Sequence, residues 1–447
     1  MELKAKNKIG FGLGTLGKDL ISPIWGSYLM FFYTDIFGIS GTAAGILLFV
    51  ARIWDAINDP MMGVIVDKTK TRWGRYRPYI LLAPIPLYLF AILTFTVPNL
   101  ASTGKLIWAY VTYIGTGMAF TAYDVPMWGM LSTLTKSDDD RNQMISYLRN
   151  FSTAGYLVMV YAALPLVSIL GHGSQSAGFR NLMIVTCAVS YIFALICFFS
   201  TKERYNTESN SATLKDMIKS LIINKPLMIL IISMTVMYIF QNMPSAVGTY
   251  FIMYNLQAPD MVGLGLMLPT LASFVGIFIA PYIAKKLGGK QTIIVGFAAY
   301  IILGILGFIV ASKNFSAYAV VAFLQGVCCG LPSVLLSAYI VDCSDWAEWK
   351  YGVRCDGTAF SLQSFAVKAG QALSGAIGGF VLGMTGYAAG EAVQADSAIA
   401  GLNAARYLAP AALALVTVGI MALYPITKEM KAQIMAELEE RRKQKEV

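Results

Sequence analysis

Ten residues, ARIWDAINDP at positions 51–60, place an arginine and two aspartates inside a long apolar stretch. Asp55 and Asp59 are four residues apart, so on a helix both carboxylates share one face. Like charges at that spacing repel, and a bound cation or one retained proton removes the repulsion. Hard cations such as sodium favour carboxylate, hydroxyl and carbonyl oxygens, by the same logic that governs calcium. Asn58, and Thr121 in a later apolar stretch, can add neutral oxygens. Pro60 and Pro126 leave the carbonyls of Ala56 and Ala122 without their helical donors. The plainer alternative is that Arg52, three residues before Asp55, merely neutralises a buried carboxylate. No second base lies near Asp59 in sequence, so that alternative covers Asp59 less well.

A second group is TAYDVPMW, which sets Asp124 and Trp128 on one helix face. A carboxylate accepts hydrogen bonds from neighbouring sugar hydroxyls, and an indole covers the apolar face of a pyranose. A tryptophan near an aspartate is also ordinary packing, so this pair gains weight only from Asp19, which can face it across a helix bundle. With Lys18, Arg149 and Lys368, these residues complete the ionisable set inside apolar segments. Each charge costs about 2.5–3.5 kcal/mol at the centre of a membrane helix, and such residues are functional candidates by default. At about 1.5 Å per residue, Asp19, Asp55 and Lys368 fall near the midplane, where alternating-access carriers hold ligands.

The elements that must position these residues are membrane helices. The chain has 447 residues, 57% hydrophobic and only 13% charged, with a mean hydropathy of +0.61, against about a quarter charged in soluble domains. Apolar runs long enough to cross hydrocarbon recur along the whole chain. Twelve segments are expected, near 10–33, 41–66, 78–97, 106–134, 143–169, 181–199, 227–254, 261–284, 291–311, 316–341, 357–384 and 402–425. The long polar stretch 200–226 separates an N-terminal six-helix bundle (1–199) from a C-terminal one (227–447). With the N-terminus and every second loop on the cytoplasmic side, 26 of the 34 Lys and Arg residues lie there and 4 opposite: Lys105, Arg180, Lys313 and Arg406. That bias puts both termini in the cytoplasm. The net charge of +9 is therefore a matter of topology, and no nucleic-acid partner is expected. Basic, Gly-containing turns after the second helix of each half, about 218 residues apart, hint at an internal repeat.

The six cysteines form no C-x-x-C, with Cys343 and Cys355 read as lying in a polar loop, and the single histidine, His172, sits in a short Gly/Ser loop. A zinc site, a disulfide framework and histidine catalysis are thus all unsupported. The first apolar segment holds Lys18 and Asp19 without a clear cleavage site, so a retained helix is expected in place of a signal peptide. The chain is not expected to be an enzyme or to carry a cofactor.

GKD at 17–19, RIWDAINDP at 52–60, TRWGRYRP at 71–78, YDVPMW at 123–128 and DWAEWKYGVRCDGTAFSLQSFAVKAGQ at 345–371 resemble the glycoside–pentoside–hexuronide:cation symporters, a branch of the major facilitator superfamily. The resemblance covers nearly the whole chain with the motifs in order. It implies an all-α membrane protein of the major facilitator fold, multi-pass in the bacterial inner membrane and functional as a monomer. It further implies a cation site of Asp55, Asn58, Asp59 and Thr121, and a sugar site of Lys18, Asp19, Asp124, Trp128 and Arg149. Arg52 and Lys368 would complete the charge network. Phe120 stands where the melibiose carrier of that family has a sugar-site tyrosine, and Ser333 near an expected tryptophan, so melibiose itself is not the expected substrate.

The expected activity is uptake of a sugar or glycoside coupled to sodium, with proton or lithium as alternative coupling ions. The three bases Lys18, Arg149 and Lys368 keep an anionic sugar such as a hexuronide open. A membrane sugar sensor is the non-transport alternative.

Overall fold

A computed structural model describes residues 5–135, 138–204, 224–352, 356–391 and 393–445. The described residues are all-helical apart from one isolated bridge, Thr71 to Gly74. The first helix, α1, runs Ala5–Pro23 and continues through π-helical turns at Ile24–Tyr28 and Phe32–Phe37. Then follow α2 (Gly41–Lys68), α3 (Arg77–Leu82 with Pro84–Thr94), α4 (Ser102–Leu134), α5 (Asp138–Gly171) and α6 (Gln175–Ser200). The second half holds α7 (Lys225–Tyr250, extended by Phe251–Asn255), α8 (Val262–Leu287), α9 (Gly289–Val310), α10 (Phe315–Tyr351) and α11 (Asp356–Met384). Next is α12, built from Asp396–Asn403, Ala404–Leu408 and Ala409–Ala422. A polar helix, α13 (Lys428–Lys445), ends the chain.

Among the described residues, nine helical stretches are long and apolar enough to cross a membrane. Three more of membrane length, α1, α2 and α4, are not among them. Those three carry all four candidate carboxylates, Asp19, Asp55, Asp59 and Asp124, together with Lys18 and Arg52. The helices follow the order and approximate positions of the expected segments.

Two expectations are corrected in detail. The polar loop expected to follow residue 341 is helical as far as Tyr351: α10 continues there and buries Asp342, Cys343, Ser344 and Trp346. The tail helix packs there: Trp349 Nε1 donates to Glu437 at 2.6 Å, and Lys431 pairs with Asp342 at 2.7 Å. Cys355 lies outside the described residues, as does most of 200–226. Arg406, counted among the outer loops, is 2% exposed within α12; it donates to Gln325 at 3.1 Å and lies 4.8 Å from the Tyr407 ring. Tyrosine faces and an amide make burial of that guanidinium tolerable where no loop would.

The basic turn after α2 is held by Glu203, whose carboxylate accepts from the backbone N–H groups of Arg75 at 2.9 Å, Tyr76 at 2.7 Å and Arg77 at 2.9 Å. Gly74, at φ +111°, makes the sharp bend that presents them.

At the end opposite the basic loops the two halves close on each other. A Cβ on Gly45 of α2 would stand 3.1 Å from the Gly379 Cα of α11, and one on Gly263 of α8 would strike the Tyr161 carbonyl of α5. Gly45 and Gly263 are 218 residues apart, the spacing of the weak sequence repeat, and each lets a helix of its own half touch a helix of the other. Polar contacts follow the same seam. Thr249 donates to the Ser27 carbonyl at 3.0 Å, Thr34 and Tyr250 hydroxyls meet at 2.7 Å, and Tyr387 donates to Asp35 at 2.6 Å.

Candidate functional site

A cavity of about 430 Å³ lies between the halves, within the range of small-molecule sites. Its N-terminal wall comes from α1, α2, α4 and α5, and its C-terminal wall from α7 and α11. Of the expected site residues, Arg52, Asp55, Asp59, Thr121, Asp124 and Lys368 line it.

The α2 pair is brought together with α4 as the spacing implied. Thr121 donates to Asp59 Oδ1 at 2.9 Å. Asp55 is 9% exposed, and its carboxylate lies so near α4 that a Cβ on Gly117 would stand 2.7 Å from Oδ1. Arg52 Nη1 reaches Asp55 Oδ2 at 3.2 Å, so the counter-ion alternative for Asp55 is realised. Asp59 also has a basic partner: Lys368, arriving from α11 in the other half. Asn58 is buried but does not line the cavity, and its Nδ2 has no hydrogen-bond partner among the described residues.

Lys18 and Asp19 stand just behind the cavity wall, 6% and 8% exposed. Lys18 pairs with Asp124 and, at 3.2 Å, with Asp19, and its ammonium lies 5.1 Å from the Phe120 ring centre. The two carboxylates expected to face each other therefore do so through a shared lysine.

Trp128 and Arg149 fall outside this constellation. Trp128 is 42% exposed, Arg149 is exposed too, and neither lines the cavity. Trp128 lies one turn beyond Asp124 on the same face, toward the basic-loop end, which the closure of the opposite seam leaves unsealed.

Other lining residues were not singled out from sequence: Trp25 and Tyr156 on the N-terminal side, and Asn242, Ser245, Gln371 and Ser374 on the other. The signal for α11 was present, because Ser364, Lys368, Gln371 and Ser374–Gly375 recur at helical spacing and form one polar stripe. Nothing in the sequence marked Trp25 apart from other apolar residues.

Charge counting gives the site its character. With every group ionised, Asp19, Asp55, Asp59 and Asp124 would carry four negative charges against three positive ones on Lys18, Arg52 and Lys368. Each of these bases already contacts a carboxylate, leaving a deficit of one positive charge.

Comparison with known proteins places the arrangement in context. A family profile described as MFS/sugar transport protein matches residues 10–428. The isoprimeverose transporter of Lactiplantibacillus pentosus is 34% identical over 87% of this chain and 82% of its own length. The inner membrane symporter YicJ of Escherichia coli K12 is 28% identical over 92% of this chain and 89% of that protein. Among solved structures, a bacterial homologue of the human lysosomal transporter Spinster, inward-facing and unoccupied, superposes with a TM-score of 0.68. It is 14% identical and covers 94% of this chain and 95% of that one.

Proposed function

The chain belongs to the MFS/sugar transport protein family, a multi-pass membrane transporter and not an enzyme, and on that premise we propose that it couples entry of one monovalent cation, sodium, to uptake of a neutral glycoside. The observation that carries this reading is the single missing positive charge among four carboxylates and three bases. One monovalent cation balances the fully ionised set, and sodium is the reading favoured over lithium or a proton. The hexuronide alternative loses its support on the same ground, because Lys18 and Lys368 are committed to carboxylates and Arg149 lies outside the cavity. The oxygen donors suit a hard cation, with Asp55, Asp59 and the Thr121 hydroxyl supplying them.

Coupling is local electrostatics. A cation at Asp55 and Asp59 replaces the Lys368 ammonium as partner of Asp59, and the α2–α11 bridge gives way. Sugar hydroxyls compete with Lys18 for the acceptor oxygens of Asp124, three residues or about one turn of α4 from the Thr121–Asp59 hydrogen bond. Because the two sites share α4, each ligand tightens the other, and the linkage is reciprocal. One charge moved through 100 mV supplies about 2.3 kcal/mol, roughly a 50-fold accumulation before any sodium gradient is counted.

The test is uptake of labelled neutral glycosides (galactosides, xylosides and glucosides) beside a glucuronide in membrane vesicles, each with and without sodium. Sodium-stimulated accumulation of a neutral glycoside against its gradient supports the reading. Binding without accumulation would make the chain a sensor, and accumulation of only the glucuronide would restore the anionic alternative.

A further inference from the structure

We infer that Trp25 is a substrate-binding residue that reads a second ring attached to the sugar held at Asp124, which makes the protein selective for two-ring glycosides over monosaccharides. The inference rests on the glycoside reading above and extends it to a residue and a substrate size.

Trp25 lies in the π-helical turn Ile24–Tyr28 that follows Pro23, where α1 widens beside the cavity. Such single-turn insertions mark functional positions in helices. The next residue, Gly26, also lines the cavity and has nothing within 4 Å of where a Cβ would stand. The indole N–H is a donor and nothing else. Here Nε1 is buried and has no partner among the described residues, although burying a donor unpaired is costly. The N–H is closed off from the cavity that the residue lines, and a substrate oxygen becomes its acceptor once the indole turns toward the filled site.

The ring has an equally definite setting. Trp25 meets Phe120 edge to face, with centres 5.7 Å apart at 72°. The other neighbour of Phe120 is the Lys18 ammonium, which binds Asp124. Phe120 therefore spans the distance from the charged cluster to Trp25 as one continuous apolar wall. Along α1, Asp19 and Trp25 are six residues or about 9 Å apart, farther than one pyranose ring extends. A ring whose hydroxyls bind Asp124 leaves Trp25 for whatever is linked to it.

The facing wall supplies complementary acceptors. Asn242 commits its amide nitrogen to the Tyr238 carbonyl at 2.7 Å and keeps its oxygen for the cavity. Ser374 donates to the Gln371 carbonyl at 2.9 Å, leaving its lone pairs for a ligand hydroxyl. A second sugar ring thus finds one donor and a hydrophobic wall on α1 and α4, and acceptors on α7 and α11.

The test is calorimetric titration of the intact protein in saturating sodium with methyl glycosides of xylose, glucose and galactose as one-ring probes, and isoprimeverose, cellobiose and melibiose as two-ring probes. Wild type is expected to bind a two-ring probe at least tenfold more tightly than its one-ring counterpart. Trp25→Phe is expected to lose about tenfold in two-ring affinity and less than twofold in one-ring affinity, with sodium affinity unchanged. Trp25→His, which restores an N–H donor, is expected to recover part of the loss; a loss equal to that of Trp25→Phe would overturn the donor assignment. Two-ring affinities within twofold of wild type in both variants would overturn the inference while leaving the glycoside reading intact. Failure of wild type to bind any of the probes would overturn that reading and this inference together.

Discussion

Lys368 of α11 and Asp59 of α2 form an ion pair across the two halves of the molecule, inside the cavity wall and beside the Thr121 hydroxyl. The ammonium holds the carboxylate that the sequence assigns to a metal cation. On the proposed reading, Lys368 is a tethered cation that competes with the free one, and the competition is tied to the contact between halves.

Removing the competitor should tighten the site. Lys368→Ala leaves two uncompensated negative charges in place of one, so sodium affinity measured by titration should rise several-fold. The stimulation of sugar binding by sodium should shrink, because the ion no longer has a bridge to break. Sodium affinity equal to or weaker than wild type would show that Lys368 supports the site instead of competing for it.

Asp59→Cys deletes the shared carboxylate. Sodium stimulation of uptake should vanish while sugar still equilibrates down its own gradient, since Lys18, Asp19 and Asp124 are untouched. The measurement is vesicle counterflow beside sodium-driven accumulation; retained accumulation would remove Asp59 from the cation role.

Asp124→Asn and Asp19→Asn address the other cluster. Each takes away one of two carboxylates that share Lys18, leaving the buried ammonium with a single anion and the sugar with a weaker acceptor. Breaking a charge-assisted hydrogen bond costs about 1.5–3 kcal/mol, so glycoside affinity should fall at least tenfold by calorimetry, and sodium affinity should fall by a smaller factor because the set then lacks no positive charge.

Gly117 makes a sharper test of Asp55. A Cβ there would stand 2.7 Å from Asp55 Oδ1, closer than real contacts allow, so Gly117→Ala must push the carboxylate off its position. Sodium affinity should drop about tenfold, and sugar affinity at saturating sodium should change much less. Equal losses in both would mean that α4 itself has shifted.

Much of this was legible in the sequence because the physics is local. Charges in apolar stretches are costly enough that Asp55, Asp59, Asp124 and Lys368 stood out without any structure, and helical periodicity alone put Asp55 and Asp59 on one face. The positions that escaped depend on long-range geometry. That Lys368 pairs with Asp59 depends on how α11 docks on α2, where Gly45 and Gly379 meet. Trp25 is one tryptophan among seven, and only the π turn after Pro23 turns it inward. Trp128 keeps its helical spacing from Asp124, but in this conformation it lies outside the cavity one turn later.

The seam between the halves yields the last prediction. Gly45 against Gly379 and Gly263 against the Tyr161 carbonyl are the two close approaches related by the internal repeat. A large side chain at either position cannot be accommodated with the seam shut, and interfaces of this kind separate in preference to deforming gradually. Gly45→Trp should therefore shift the population toward a conformation open at the end opposite the basic loops. A ligand or mutation that moves a two-state equilibrium from 1:99 to 99:1 must supply about 5.5 kcal/mol, which a steric overlap at a helix crossing can exceed. Sugar binding from that side should persist or strengthen while net transport stops. The measurement is labelling of a cysteine placed at Thr249, which the closed seam buries with a 3.0 Å hydrogen bond to Ser27: its reactivity toward an impermeant maleimide should rise strongly in Gly45→Trp and in Gly263→Trp alike. Unchanged reactivity in both would mean that these glycines do not govern closure. A change in only one would break the equivalence of the two halves on which the prediction stands.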